Sequence, residues 1–135
     1  MVKVSWFDFY VNKNKSTKEE FDKIYYPELK KHKDVINRKL QLRNKYHTKM
    51  KFYLFTSKKN EYYNLIGTYP ELFRKHIESK FKNGMTWDNY GSWHIDHIKA
   101  VYYFNLENEE EVNQCFNYLN LQPLDAIDNL KKGIK

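Results

Sequence analysis

The chain has 135 residues, enough for one domain and too few for two full cores. Hydrophobic residues make up 41% and aromatics 18%, so a packed core is expected and global disorder is not. The 24 Lys and Arg against 17 Asp and Glu give a net charge of +7. No stretch approaches the roughly 18 apolar residues of a membrane span. The start, Met-Val-Lys-Val-Ser-Trp, lacks the pattern of a signal peptide. The single cysteine, Cys115, excludes an intramolecular disulfide and a multi-cysteine zinc site. The expectation is an intracellular protein that is not secreted.

The charge is uneven. Residues 1–83 carry 20 basic and 9 acidic residues, net +11, while residues 84–135 carry 4 and 8, net −4. A basic segment joined to an acidic one suggests a polyanion-binding part beside a part with another task. Scattered lysines that only solvate a surface are the plainer reading.

In chain order, the first ten residues suit a short strand or docking arm, and Asn12–Lys15 a polar loop. Ser16 and Thr17, with Glu19 and Glu20 close behind, predict a helix start. A first helix is expected over about 18–26, with Pro27 opening a second. The pattern stays helical to about Phe55, with Leu29, Val35, Ile36, Leu40 and Leu42 apolar. Arg38, Lys39, Arg43, Lys45 and Lys49 lie among these, so the charged side suits contact with phosphates, and binding that weakens steeply with salt. A helix with a solvated lysine face is the competing reading.

Residues 57–60 read as a loop. Gly67-Thr68-Tyr69-Pro70 opens a helix running to about Lys82, burying Leu72, Phe73, His76 or Ile77, and Phe81, with Asn83-Gly84 as terminator. His76 reads as a core or boundary residue. Trp93-His94-Ile95-Asp96-His97-Ile98 alternates as a half-buried strand does, so His94, Asp96 and Ile98 share one face and Ile95 and His97 the other. A twist or bulge at the strand end could unite Asp96 and His97. A helical excursion follows over 107–118, then a second strand over 119–124 that Pro123 ends. Last comes a short helix capped by Asp125 and stopped by Gly133. Trp87, Tyr90 and Trp93 read mainly as core, with base stacking as the alternative; Cys115 reads as a small buried hydrophobe.

The order Asp96-His97-Ile98, then Asn120-Leu121-Gln122-Pro123-Leu124, then Asn129-Leu130-Lys131-Lys132-Gly133 resembles the HNH endonuclease family, whose fold is a ββα-metal finger. Ile66-Gly67 and Phe81-Lys82-Asn83-Gly84-Met85-Thr86-Trp87-Asp88-Asn89-Tyr90-Gly91, running into Trp93-His94-Ile95-Asp96-His97-Ile98, is similar to the small HNH proteins of phages and large DNA viruses. The resemblance covers about residues 65–133. It implies an α+β chain: a mainly helical, basic DNA-binding extension over residues 1–64, then an HNH nuclease domain over residues 65–135.

The resemblance also implies roles. Asp96 and Asn129 would hold one divalent metal, His97 would activate the attacking water, and Asn120 would support the geometry and orient the base. One carboxylate and one amide favour Mg²⁺ or Mn²⁺, with waters and a substrate phosphate completing the shell. The products would be 5′-phosphate and 3′-hydroxyl ends. Lys99, Lys131 and Lys132 join the helix cations as candidate contacts to double-stranded DNA. His94 stays open between an additional site residue, a phosphate contact and a packed strand residue. The chain departs from the family at Lys99-Ala100, where Ile-Pro is frequent, and at Thr68, where Cys is frequent. The expected setting is the cytoplasm of a bacterial or virus-infected cell, as a monomer or weak homodimer. A DNA-binding module that keeps the fold without cutting is the alternative; a partner-binding domain without nucleic-acid affinity is a third.

Overall fold

The computed structural model describes the backbone of residues 18–132 and the side chains of residues 27–132. The expected arm over residues 1–10, the loop Asn12–Lys15, the caps Ser16 and Thr17, and the stop at Gly133 lie outside the described residues. Helix α1 spans Lys18–Phe55, α2 Tyr63–Ile66 and α3 Pro70–Ser79. Strand β1 is Trp93–His97, α4 Glu109–Phe116, β2 Leu121–Asp125 and α5 Ala126–Lys132. Short 3-10 turns fill Trp87–Asn89, Val101–Tyr103 and Tyr118–Asn120. The described chain is thus mixed helix and strand, mostly helical, with one two-stranded antiparallel sheet.

The expected break at Pro27 is absent: α1 runs through it. Proline inside a helix removes one rung and costs about 3 kcal/mol, a penalty that a helix of 38 residues sustains. Packing divides the chain into units of residues 1–41 and 42–135. In the first, Val35, Ile36 and Leu40 remain exposed. The motif resemblance draws its line at residue 64, and the charge pattern at residue 83. In the second unit, residues 42–64 contribute Leu42, Met50, Tyr53 and Leu54 to the core.

That core gathers Ile66, Phe73, Ile77, Trp93, Ile95, Cys115, Phe116 and Leu121 around Met50 and Tyr53. The Tyr53 hydroxyl donates to the carbonyl of buried Thr68 at 2.8 Å. Trp93 is fully buried. Its indole N–H reaches Thr86 O at 2.7 Å and Asn89 Oδ1 at 3.0 Å. The rings of Phe81, Trp87 and Tyr90 meet it edge-on. Gly67 ends α2 at φ +85°, a conformation that favours glycine, and a Cβ there would also press on the Asn117 side-chain amide.

Three local expectations change. Helix α3 stops at Ser79, three residues short of Lys82: Lys80 caps it, its N–H turning back to the Ile77 and Glu78 carbonyls, and Asn83 and Gly84, at positive φ, form a separate turn beyond. Leu72 is 51% exposed; Phe73 and Ile77, four apart, take the inward face. Pro123 sits inside β2 instead of ending it. The ladder bonds Ile98 N–H to Asn120 O and Ala126 N–H to Ser92 O fix which pairs are hydrogen-bonded. Pro123 faces Ile95 at a position outside those pairs, so its missing N–H costs the sheet nothing.

Trp93 both fills the core and satisfies two polar groups. Trp93→Ala is expected to destabilise the protein by about 3–5 kcal/mol, against less than about 0.5 kcal/mol for the exposed Leu72→Ala. Urea unfolding of both variants measures the difference.

Candidate functional site

The register pairs Asp96 with Gln122 and His97 with Leu121. Asp96 and His97 are both buried, at 8% and 7% exposure. Strict alternation would put neighbours on opposite faces. Both are nevertheless covered, because helix packs over the Asp96 side and the aromatic core over the His97 side. Gln122 Nε2 donates across the ladder to Asp96 Oδ2 at 3.0 Å.

Helix α5 packs on both strands. Asp125 Oδ1 accepts from the N–H groups of Ile127 at 2.9 Å and Asp128 at 3.4 Å, as an N-cap does. At the other end of α5, Lys132 Nζ lies 2.7 Å from Asp96 Oδ2 and 3.2 Å from His97 O. One ammonium therefore ties the helix to both residues. Asn129 precedes Lys132 by three positions on the same helix face.

The His97 ring stands edge-on to Phe116, with centroids 4.8 Å apart, and Phe116 packs on Tyr46. Its Nε2 is buried and has no hydrogen-bond partner. Burial, then the neighbouring charge of His47, lower the His97 pKa to about 4, although Asp96 pulls it upward. His97 is thus neutral across the physiological range. A buried unpartnered nitrogen in that state calls for a ligand or a water.

Asn120 is a brace. Its Oδ1 accepts from Lys99 N–H at 2.8 Å, and its Nδ2 donates to Cys115 O at 2.9 Å and Lys99 O at 3.2 Å. It locks the chain leaving β1 to the end of α4.

His47 is the residue that the sequence reading missed. Burial and the Arg43 charge lower its pKa to about 4, with smaller contributions from Lys51 and His94. The signal was the spacing: Arg43, His47 and Lys51 recur every four residues on α1, hence on one face. Lys51 Nζ lies 5.6 Å from the Tyr90 ring centre, and the Tyr90 and His94 ring centroids are 5.7 Å apart. His94 is thereby a packed, half-buried strand residue near this stripe.

The other predicted cations are spread out. Arg38 and Lys39 belong to the first unit. Lys45 and Lys49 lie over the Tyr46 ring at 5.6 and 5.7 Å. The Lys99 ammonium lies 4.9 Å from the Phe104 ring centre. Lys131 is exposed, whereas Lys132 turns inward to Asp96. His76 is a boundary residue: its Nε2 meets Leu121 O at 3.2 Å, joining α3 to β2.

Among the described residues, no group of three or more His, Cys, Asp or Glu is placed to hold a metal. The oxygen donors named from the sequence are one carboxylate, Asp96 on β1, and one amide, Asn129 on α5. Both hydrogen bonds to Asp96 fall on Oδ2, leaving Oδ1 for another ligand. Such a sparse oxygen set fits a hard, largely hydrated cation and not a thiolate- or imidazole-bound one. No described helix is long and apolar enough to cross a membrane.

No family model matches the chain, and no solved structure matches it. Two proteins of Acanthamoeba polyphaga mimivirus are similar to it. "Uncharacterized protein L426" is 43% identical over 82 residues, 60% of this chain and 35% of that protein. "Uncharacterized protein L246" is 40% identical over 67 residues, 49% of this chain and 30% of that protein. The chain thus spans about a third of the length of these viral relatives.

The two depressed histidines set a pH dependence. Unfolded, each takes up a proton below about pH 6.5; folded, each refuses it until about pH 4. Stability is therefore full above 6.5 and falls as the pH drops toward 4. Urea unfolding across this range is expected to show that slope, and His47→Gln to flatten part of it.

Proposed function

We propose that the chain is a divalent-metal-dependent DNA endonuclease or nickase of HNH type, with β1, β2 and α5 as its ββα-metal finger. The reading is carried by one observation. Asp96, already facing a cation, adjoins a buried, neutral His97 whose Nε2 lacks a partner. The order of the Asp-His, Asn and Asn motifs supports it, as does the viral source of the relatives.

On this reading Asp96 and Asn129 would hold one Mg²⁺ or Mn²⁺, which would supply Lewis-acid stabilisation of the charge that develops on the scissile phosphate and the departing 3′ oxygen. His97 takes the proton from the attacking water. Its low pKa makes it a weak base in the free protein, and an approaching phosphate anion raises that pKa toward the useful range. Asn120 keeps the end of β1 in place through Lys99. The products are 5′-phosphate and 3′-hydroxyl ends. Arg38, Lys39, Arg43, Lys45, Lys49, Lys99 and Lys131 supply phosphate contacts, so sequence preference is modest. The setting is the cytoplasm of a bacterial or virus-infected cell, and the chain acts as a monomer or weak homodimer.

A second reading, a DNA-binding module that does not cut, is favoured by the Lys132 ammonium on Asp96 and by Lys99-Ala100 after the strand. It predicts salt-sensitive binding with no cleavage under any divalent ion.

Supercoiled plasmid incubated with Mg²⁺ or Mn²⁺ separates the two. Nicking that EDTA abolishes, and that His97→Ala slows by about 10²–10⁴-fold, is the expected result. Cleavage that persists in EDTA, or a His97→Ala protein as active as the wild type, contradicts the roles assigned.

A further inference from the structure

Asp96 already has a cation. The Lys132 ammonium sits 2.7 Å from Oδ2, against a side chain only 9% exposed, and is held a second time by His97 O. A charge-assisted bond of this length around a covered carboxylate is strong. Gln122 occupies the same oxygen. Asn129 lies one turn earlier on the face of α5 that carries Lys132. A divalent ion taken up by Asp96 would therefore meet an ammonium already on that carboxylate; the Lys132 side chain is 34% exposed, so solvent screens part of the repulsion between the two cations.

From this geometry we infer that Lys132 is a positioning residue of the site: it is the resident counter-ion of Asp96, and a divalent cation and its ammonium compete for that carboxylate. The inference rests on the metal-binding reading above. In the metal-free protein Lys132 neutralises Asp96 and keeps α5 docked on β1. Metal entry loosens this contact, and the freed lysine, on the last turn of α5, retains its charge at the edge of the site. The cost of parting the pair is subtracted from metal affinity, so the native site binds metal more weakly than its ligands alone would.

The test is Mn²⁺ binding by titration calorimetry to the full chain, without DNA. Wild type, Lys132→Met and Lys132→Arg are compared at low and at about 0.5 M KCl. Methionine keeps the stem and removes the charge; arginine keeps the charge. Lys132→Met is expected to bind Mn²⁺ roughly tenfold to a hundredfold more tightly, and Lys132→Arg about as weakly as wild type. A gain that survives 0.5 M KCl marks direct competition, because long-range charge effects are screened there. Wild type and Lys132→Met binding Mn²⁺ equally, or a gain that vanishes with salt, overturns the competition and leaves the metal reading standing. No Mn²⁺ binding by any of the three overturns both.

Discussion

A two-stranded ladder is marginal in water by itself, and the site depends on one being held in register. Burial does the holding. Trp93, Ile95 and Leu121 turn one face of the ladder into the core, where Phe116 and the end of α1 meet them. On the other side α5 closes over the strands through Lys132, Asp96 and Gln122. A slip of one residue would exchange the faces and expose Trp93 and Ile95, so the hydrophobic pattern that stabilises the sheet also fixes where Asp96 and His97 point.

The electrostatic character of the site follows from that confinement. A carboxylate kept from water needs a cation, and Lys132 supplies one. An imidazole kept from water loses its proton, and His47 and Arg43 on α1 press it further in that direction. The pair therefore combines an anion that seeks positive charge with a neutral base, and Asn120 stiffens the turn between them and α4. The same arrangement suits phosphodiester hydrolysis as we propose it.

Much of the fold was legible. The alternation from Trp93 to His97, the Asp125 cap and the helical pattern ahead of Phe55 all correspond to observed elements, because periodicity and caps are local signals. Proline was read too strictly. Pro27 lies inside a helix long enough to carry the defect, and Pro123 stands where its missing N–H faces away from the ladder. Register decides the second case, and register is not a local property. The reading of Leu72 as core failed similarly, since α3 turns Phe73 and Ile77 inward.

Of the candidate site, the sequence shows residue types and their order, not their neighbours in space. Asp96, His97, Asn120 and Asn129 stand out as an ordered pattern. His47 does not, because its closeness to His97 depends on how α1 packs on the sheet. Lys132 looked like one more surface cation, and only the docking of α5 reveals it at the carboxylate. The central claim is that Asp96, His97 and Asn129 surround one cation site. Substoichiometric Mn²⁺ added to ¹⁵N-labelled protein tests it most directly, since the paramagnetic ion broadens the amide signals nearest to it. The account predicts that broadening begins at residues 96, 97 and 129 and spreads to Gln122 and Lys132. Broadening that begins at the acidic run Glu109–Glu111, with residues 96 and 129 still sharp, would contradict it.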